Sequence, residues 1–476
     1  MGEKRRKSQM ELAFPTENRG EAPKAVEGRA EATVAERETE NPAVTERRME
    51  EVCANENVKK ALKRVRRNKG APGVDGMTVD ELPKFLNEHW PSIREQLLNG
   101  AYKPQPVKRV NIPKPDGGTR SLGIPTVLDR FIQQAVAQVM QERWDGTFSD
   151  HSYGFRPGRS ARQAVAKAQE HIEQGYAWVV DIDIEKFFDR VNHDRLMATV
   201  AQKEEDKRLL KLIRAFLNAG VMEGGLISPT DEGAPQGGPL SPLLSNIVLD
   251  ELDVELERRG HRFVRYADDC NIYVRSERAG QRVMESVRRF IERKLKLRMN
   301  EAKSAVGRPV ERKFLGFSFT AGAKPKRRIA PQSVKRLRGK IRKTTRPTKG
   351  RSVEQIVEYL ARHLIGWRGY FGFCETPSVL RDLDSWIRRR LRSYIWKQWR
   401  HGRNRFRELR KHGVGKALAA QTAGSAHGPW RISRSPALHI ALPNAYFDAL
   451  GLPKLAPPQD RLTDRTAVYG PVRTVV

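Results

Sequence analysis

Two adjacent acidic residues interrupt an otherwise apolar stretch. The segment RFVRYADDCNIYV (residues 262–274) places Asp268 and Asp269 between two runs of strand-forming residues, which predicts a β-hairpin with the aspartates at its turn. Aspartate is a poor strand former, so two carboxylates at this point need a reason. A second acidic pair, Asp181 and Asp183, alternates along VVDIDI and therefore shares one face of a predicted strand.

Clustered carboxylates imply a cation, because like charges held close together repel each other. Mg²⁺ prefers hard oxygen ligands and is often held by a few carboxylates together with substrate phosphates. Two such ions about 4 Å apart can activate a hydroxyl and stabilise a leaving pyrophosphate, which is the chemistry of polymerases. An Asp-Asp pair alone is typical of an ordinary turn. If the strand and the hairpin are neighbours in one sheet, however, Asp183 and Asp268 converge, and we predict that they hold metal.

Hydrophobic periodicity indicates the elements that must position these residues. AWVVDIDIEKFFDRV predicts a buried strand that leads into a helix, and IPKPDGGTRSLGIP predicts a hairpin with Asp-Gly-Gly at its turn. The stretch 324–349 has 12 Lys and Arg residues and no acidic one, and we interpret it as a linker with a cationic surface. Apolar residues at helical spacing predict helices in VLDRFIQQAVAQVMQERW, KRLLKLIRAFLNAG, SPLLSNIVLDELDVELERRG, EQIVEYLARHLIGWRGYFGF and LRDLDSWIRRRLRSYIWKQWRHG.

The overall charge indicates the kind of partner. The chain has 476 residues, a formal net charge of +32 and a sequence pI near 10.3, which favours a polyanion such as nucleic acid. The three cysteines, Cys53, Cys270 and Cys374, are far apart, so neither a disulfide framework nor a zinc site is expected. The sequence has no apolar run long enough to predict a membrane span, and its N-terminus lacks the apolar core of a signal peptide. We expect a cytoplasmic protein without a membrane partner.

One predicted helix combines many arginines with aromatic residues. In LRDLDSWIRRRLRSYIWKQWR the apolar residues occupy one face and arginines fill the other. A solvated helix face is the ordinary interpretation of such a pattern. The density of arginine beside Trp and Tyr favours RNA instead, because guanidinium groups bind phosphates and planar rings stack on bases. We therefore predict that Arg388, Arg389 and Arg392 contact RNA.

Many ordered motifs resemble those of bacterial group II intron-encoded reverse transcriptase/maturases. YADD resembles the catalytic box of reverse transcriptases, and DIDIEKFFDRVNHDRL resembles their first catalytic motif. GAPQGGPLSPLLSNIVLDELD resembles the nucleotide- and template-facing motif, and NIPKPDGGTRSLGIP resembles the fingertip hairpin. LRMNEAKS and KFLGFSF resemble the last palm motifs, whereas HLIGWRGYFGF with RRRLRSYIWKQW resembles the maturase thumb, called domain X. The resemblance covers roughly residues 50 to 455.

The resemblance implies a role for individual residues. Asp183 and Asp268 match the metal ligands, and Asp269 matches the third catalytic carboxylate, with Mg²⁺ as the expected cofactor. Phe188 matches an aromatic residue whose ring excludes a 2′-hydroxyl, which would select deoxynucleotides. Four further residues match positions that bind the incoming nucleotide or its phosphates: Lys114, Arg120, Gln236 and Lys303. Lys303 could act as a general acid, although a surface salt bridge is an alternative.

The resemblance also implies an α+β fold, a right-hand polymerase whose fingers and palm carry an antiparallel sheet, followed by an α-helical thumb or maturase domain X. We expect a disordered leader over 1–50, fingers and palm over 51–320, the thumb over 321–420 and a short basic C-terminal region over 421–476. The expected partners are group II intron RNA, an RNA template with a DNA primer, dNTPs and a DNA target. The Cys-pair and His-Asn-His pattern of the family's endonuclease domain is not found. Two other interpretations stay open: a host-adapted reverse transcriptase in defence or repair without an intron, and an RNA-splicing cofactor with an idle active site.

Overall fold

The computed structural model describes residues 47–113, 118–223, 226–228, 232–233, 237–346 and 350–457. Its N-terminal part is mainly helical and consists of α1 (Arg48–Cys53), α2 (Asn55–Asn68), α3 (Leu82–Leu98) and α4 (Val127–Trp144). Helix α4 begins where the Thr126 hydroxyl oxygen accepts a hydrogen bond from the Asp129 N–H at 3.0 Å. Its apolar side chains are buried on most sides, and α2 packs along it.

Two hairpins form the sheet of the fingers. The strands are β1 (Val107–Pro113), β2 (Thr119–Ile124), β4 (Val221–Glu223) and β5 (Leu226–Ser228), in the order β2-β1-β4-β5. Strands β1 and β2 pair antiparallel up to Pro113 opposite Thr119, which confirms the hairpin predicted from the Asp-Gly-Gly turn. Strand β4 joins β1 in parallel, which links the two hairpins into one sheet.

The palm is built on a second four-stranded sheet. Its strands are β3 (Trp178–Ile182), β6 (Arg262–Tyr266), β7 (Asp269–Val274) and β8 (Ala305–Gly307), in the order β6-β7-β3-β8. All neighbouring strands are antiparallel. The acidic hairpin and the strand that carries the upstream aspartates are therefore direct neighbours, as the sequence predicted.

Helices cover this sheet and complete one large core. They are α5 (Ala161–Glu173), α6 (His193–Ala201), α7 (Lys207–Leu217), α8 (Ser241–Arg258) and α9 (Glu277–Phe290). Four of these five helices begin at a side-chain cap, at Ser160, Asn192, Asp206 and Ser276. Helix α8 instead begins with Pro242 in its first turn and is buried over most of its length, in keeping with its nearly continuous apolar sequence.

The C-terminal part is helical after one short sheet. Strands β9 (Phe317–Phe319) and β10 (Arg327–Ile329) pair antiparallel. The helices that follow are α10 (Pro331–Thr344), α11 (Val353–Phe371), α12 (Pro377–Gln398), α13 (Gly402–Lys411), α14 (Lys416–Ala423), α15 (Pro429–Ile432), α16 (Pro436–Ala441) and α17 (Asn444–Ala449). They share a core that extends from Ile329 to Leu455. The α+β class with a helical thumb is confirmed.

Several expected boundaries are wrong in detail. Residues 47–50 belong to the folded part, because Met49 is fully buried and its N–H donates to Asp206 at 3.0 Å. The rest of the expected leader lies outside the described residues. The palm boundary at residue 320 separates β9 from its partner β10. The boundary at 420 cuts α14, and the described part of the region beyond it is a portion of the thumb core rather than a separate tail.

The stretch 324–349 is not a linker over its described residues. Its first part forms β10, and its second part forms α10, where Ser333, Leu337 and Ile341 recur every four residues and are buried. The lysines and arginines between them face outward, which explains why the composition suggested a cationic surface. Within the described part of the chain, no helix is long and apolar enough to cross a membrane.

Candidate catalytic site

The register of the palm sheet brings two acidic segments together. Strand β3 pairs with β7 so that Asp181 lies opposite Asn271 and Ile182 lies opposite Cys270. Continuing this register by one residue places Asp183 beside Asp269, the first residue of β7. Asp268 occupies the turn that precedes it, between β6 and β7. The convergence predicted from two separate stretches of sequence is therefore confirmed.

The electrostatics of Asp269 show how closely the acids are grouped. Burial and, after it, the nearby carboxylates of Asp268, Asp181 and Asp183 together raise the pKa of Asp269 to about 7, whereas Lys313 opposes the shift. The residue as a whole is exposed to solvent, although protein atoms surround its carboxyl group. A carboxyl group that resists ionisation because of its acidic neighbours marks a site with unbalanced negative charge.

The carboxylate of Asp183 forms an ion pair with Lys303. The Lys303 Nζ lies 3.1 Å from Asp183 Oδ2, and the lysine side chain is 58% exposed. Backbone contacts fix the two segments to each other: the Asn300 N–H donates to the Asp183 carbonyl at 2.8 Å, and the Asp183 N–H donates to Ser304 Oγ at 3.0 Å. Lys303 therefore reaches the acidic cluster from a loop that is held firmly against β3.

Asp181 is balanced by a different cation. Arg312 donates from Nε and Nη2 to Asp181 Oδ2 at 3.2 and 2.6 Å, and the same guanidinium donates to the Lys303 carbonyl at 2.9 Å. Burial raises the pKa of Asp181, while Arg312 opposes that shift. Asp181 is thus committed to a structural ion pair, although it stands only two residues from Asp183.

The donor set fits a hard divalent cation that completes its shell with substrate oxygens. Carboxylate oxygens are the ligands that Mg²⁺ prefers, and a cation between them would relieve the repulsion felt by Asp269. Among the residues that the structure describes, no three His, Cys, Asp or Glu side chains are arranged to hold a metal by themselves. The assignment of Asp183, Asp268 and Asp269 as its ligands stays a prediction.

Phe188 follows Asp183 by five residues along the chain. It lies in the short helical turn Phe187–Asp189, is half-buried, and its ring packs edge-on against Phe187 with centroids 5.2 Å apart. The backbone of this turn closely approaches Gly233: a Cβ on Gly233 would lie 2.9 Å from the Phe188 carbonyl oxygen. Gly233 also has φ +94°, so glycine is needed there for two reasons.

His193 is a residue at this site that the sequence analysis missed. Its buried ring bridges two oxygens, with Nε2 2.6 Å from the Gly233 carbonyl and Nδ1 3.0 Å from Asn218 Oδ1. The Gly233 N–H in turn donates to the Val191 carbonyl at 2.8 Å. These bonds anchor the start of the loop that continues to Gln236. The only signal in the sequence was one histidine directly after the acidic and aromatic motif, which is too little to separate an anchor from a surface residue.

The other nucleotide-binding predictions are only partly accessible to the structure. Lys114 and Gln236 lie outside the described residues. The backbone of Arg120 pairs with Ile112 in the fingers hairpin, but its side chain is outside the description. Gly237, directly after Gln236, closely approaches the Gly123 carbonyl oxygen, which a Cβ would meet at 2.5 Å. Gly237 therefore lies against the end of β2, the strand that contains Arg120.

Two of the three arginines in the predicted cationic stripe on α12 are buried. Arg388 and Arg392 are only 4% and 3% exposed. Arg388 pairs with Asp448 at 2.6 Å and with Asp384 at 3.4 Å, and Arg392 donates to the Leu442 carbonyl at 2.8 Å. Both side chains hold the last helices against α12, because the C-terminal region covers this face of the helix.

Arg389 is half-buried and also has protein partners. Its guanidinium lies 3.8 Å from the centre of the Trp430 ring and donates to the Trp430 carbonyl at 3.0 Å. Arg389 is thus stacked on an aromatic ring of α15 within the thumb. RNA contact by Arg388, Arg389 and Arg392 stays a prediction, and the burial of two of them argues against it.

The structure has an antiparallel sheet that brings carboxylates together at one hairpin, a preceding part with its own sheet and a helical part that follows. This arrangement is typical of the palm of a nucleotidyl-transferring polymerase. The family model for reverse transcriptase (RNA-dependent DNA polymerase) matches residues 112–319. The group II intron, maturase-specific domain matches residues 334–413.

Curated relatives agree with these matches. Protein YkfC of Escherichia coli (strain K12) is 34% identical over 279 residues, which cover 50% of this chain and 73% of YkfC. The group II intron-encoded protein LtrA of Lactococcus lactis subsp. cremoris is 30% identical over 58% of this chain and 56% of its own length. Among solved structures, a partial Cas6-RT-Cas1–Cas2 complex is 25% identical over 52% of this chain and 42% of that chain, but its TM-score of 0.34 is too low to support an argument.

The chain belongs to the reverse transcriptase family, the RNA-directed DNA polymerases, and it carries a group II intron maturase-specific domain behind the polymerase. The match spans little more than half of LtrA, so the activities of that whole protein do not follow from the likeness.

Proposed function

We propose that this protein copies RNA into cDNA by two-metal nucleotidyl transfer and binds group II intron RNA to assist its splicing and retrohoming. The observation that carries the polymerase part is the group of acids around Asp269, whose pKa is raised to about 7 by burial and by three neighbouring carboxylates. Such a site is poised for a divalent cation. The order of a polymerase domain before a maturase-specific domain supports the intron part.

In this proposal the palm residues position the reacting groups. Asp183 and Asp268 hold Mg²⁺, and Asp269 completes the acidic cluster. When bound, Mg²⁺ supplies Lewis acidity at the primer hydroxyl and at the leaving phosphate. Lys303 lies 3.1 Å from Asp183, so its ammonium group is within reach of the same phosphates and can donate a proton from Nζ to the pyrophosphate that leaves.

The fingers side chooses the substrate. The Phe188 ring closes the space next to a 2′-hydroxyl and favours dNTPs, while His193 holds the loop that brings Gln236 to the nucleotide. Lys114 and Arg120 at the fingertip bind the triphosphate, for which the guanidinium fork is well suited.

Intron RNA and the template–primer duplex need a cationic surface, and α10 offers one. Its outward residues include Lys335, Arg336, Lys340 and Lys343, all exposed. Because these side chains are already exposed, they can neutralise phosphates, in contrast to the buried arginines of α12. A DNA target and a cytoplasmic setting stay proposals of the same kind.

Primer extension on an RNA template tests the polymerase part. The wild-type protein should extend a DNA primer with dNTPs in Mg²⁺, and Asp268→Ala should abolish extension while RNA binding is retained. Asp194→Ala is the matched control, because this aspartate also lies in the palm but its side chain is 83% exposed. Extension by Asp268→Ala at the wild-type rate would contradict the proposed site.

Binding to RNA tests the intron part separately. The protein should bind a folded group II intron RNA more tightly than an unrelated structured RNA of equal length at the same salt. Equal affinity for both RNAs, together with normal primer extension, would favour a reverse transcriptase that works without an intron partner.

A further inference from the structure

A buried arginine lies directly beneath the catalytic hairpin. Arg265 is in β6, three residues before Asp268, and is fully buried. Its Nε donates to Asp253 Oδ1 at 2.7 Å, and its Nη1 donates to Asn246 Oδ1 at 3.0 Å and to the Ala267 carbonyl at 3.1 Å. Asp253 and Asn246 both belong to α8 and are also fully buried. One guanidinium thus connects a helix of the core to the backbone of the turn.

The turn that it holds has an unfavourable backbone conformation. Ala267 has φ +57°, in the left-handed region that residues with a Cβ rarely adopt. Such a conformation costs on the order of 1 kcal/mol or more and persists only where its surroundings enforce it. The Ala267 carbonyl accepts from Arg265, and the next two residues are Asp268 and Asp269.

A third segment closes the turn from the other side. The Asn246 amide donates to the Gly154 carbonyl at 2.9 Å. A Cβ on Gly154 would lie 2.3 Å from the Ala267 nitrogen, so the two backbones are in close contact. The Tyr153 N–H donates to the Arg265 carbonyl, and the Arg265 N–H donates to the His151 carbonyl, both at 2.9 Å. The segment SYGF is therefore bound to β6 and seated against the turn.

Stability alone does not explain this arrangement. A buried ion pair contributes little net stability, because the cost of removing both charges from water cancels most of their attraction. Apolar side chains of similar size could fill the same volume. They could not hold the Ala267 carbonyl and the Asn246 amide at fixed positions, which the rigid guanidinium fork does.

We propose that Arg265, fixed by Asp253 and Asn246, is a positioning residue that sets the height and orientation of the turn with Asp268 and Asp269 relative to Asp183. The inference rests on the proposed polymerase site and adds to it a buried residue that controls the position of the turn. Asp268 and Asp269 belong to a cleft in which small displacements matter, since a shift of about 1 Å in a reacting group can cost roughly 10²-fold in rate.

The substitution Arg265→Lys tests this role while keeping the charge next to Asp253. An ammonium group bound to Asp253 cannot also serve Asn246 and the Ala267 carbonyl with the geometry of the fork. In single-nucleotide incorporation from a preformed template–primer complex, we expect the rate constant to fall by about 10- to 100-fold. The Mg²⁺ concentration for half-maximal rate should rise, whereas the Kd for template–primer should stay within about twofold.

The amplitude of the reaction separates positioning from folding. A purely structural role would reduce the fraction of molecules that react and leave the rate constant of that fraction unchanged. Arg208→Lys is the matched control: it alters a guanidinium that also pairs with two carboxylates, those of Asp206 and Glu50, but at the start of α7. We expect this control to lower the melting temperature without changing the rate constant.

A second variant decides the question if Arg265→Lys does not fold. Asn246→Ala leaves the ion pair with Asp253 intact and removes the two bonds of the Asn246 amide, to Arg265 Nη1 and to the Gly154 carbonyl, so it should fold and lower the rate constant by a smaller factor. A rate constant equal to that of the wild type in both Arg265→Lys and Asn246→Ala would overturn the proposal, as would an unchanged rate in Asn246→Ala alone if the first variant is insoluble. Wild-type extension in the same assay verifies the underlying polymerase activity independently.

Discussion

The palm and the thumb treat their charged residues in opposite ways. In the palm, Asp269 faces three other carboxylates and its pKa is raised to about 7 by burial and by this repulsion. In the thumb, Arg388 and Arg392 stand out as clearly in the sequence but are buried, and they contact Asp448, Asp384 and a backbone carbonyl. The comparison shows that a dense run of charge in the sequence does not by itself mark an accessible surface.

The largest expected effect concerns the acids grouped at the end of the palm sheet. Replacing Asp268 or Asp183 by Ala should reduce nucleotide incorporation by orders of magnitude, because each removes a carboxylate from the proposed Mg²⁺ site. Template–primer binding measured by filter retention should be retained. Retained synthesis by Asp183→Ala would refute the assignment of that residue.

Breaking the ion pairs of Arg388 should affect the stability of the fold instead. Arg388→Ala leaves Asp448 and Asp384 without their buried partner and should lower the free energy of unfolding by about 3 kcal/mol, the low end of the range for such pairs since Asp448 is partly exposed. Urea denaturation measures this loss. Filter binding over a series of salt concentrations should show the wild-type slope, and a flattened slope would restore Arg388 as a phosphate ligand.

Exposed cations of α10 should give the reverse result. Neutralising Lys335, Arg336 and Lys340 together should leave the unfolding free energy nearly unchanged, because all three side chains are exposed. Each lost phosphate contact should reduce the log–log salt slope of RNA binding by about 0.7 to 0.9. If the slope does not change, the RNA surface lies elsewhere on the protein.

A smaller effect is expected at the substrate side of the palm. Phe188→Ala should admit ribonucleotides more readily, since the half-buried ring is proposed to occupy the space next to the 2′ position. Single-nucleotide incorporation with dNTP and rNTP in parallel gives the ratio. An unchanged ratio would assign Phe188 to packing against Phe187 alone.

The sequence was sufficient for the acidic hairpin because local rules determine it. Strand alternation on both sides of Asp268 and the apolar run before Asp183 are local patterns. Once the two strands are neighbours in one sheet, as β3 and β7 are, the acids at their ends come together. The main helices follow from periodicity in the same way, and α8 could be predicted from its apolar stretch alone.

Tertiary partners decided what the sequence could not predict. The exposure of Arg388 and Arg392 depended on whether a distant segment covers α12, and residues near 442–448 do so. The linker interpretation of 324–349 failed because charge density hid the buried positions Leu337 and Ile341. His193 and Arg265 gain their roles only through contacts with Gly233 and with Ala267, which no local pattern indicates.

The segment at the end of β3 offers the most direct test, because two aspartates with different partners lie two residues apart there. Asp181 is held by Arg312 at 2.6 Å, whereas Asp183, just beyond the strand, lies 3.1 Å from the 58% exposed Lys303 and next to the acidic cluster. Single-nucleotide incorporation by Asp181→Asn and Asp183→Asn, each normalised to its active fraction, separates the two. We predict a loss of orders of magnitude for Asp183→Asn and, for Asp181→Asn, a lower melting temperature with a rate constant close to that of the wild type. Equal losses of rate in the two variants, or a larger loss in Asp181→Asn, would contradict the account.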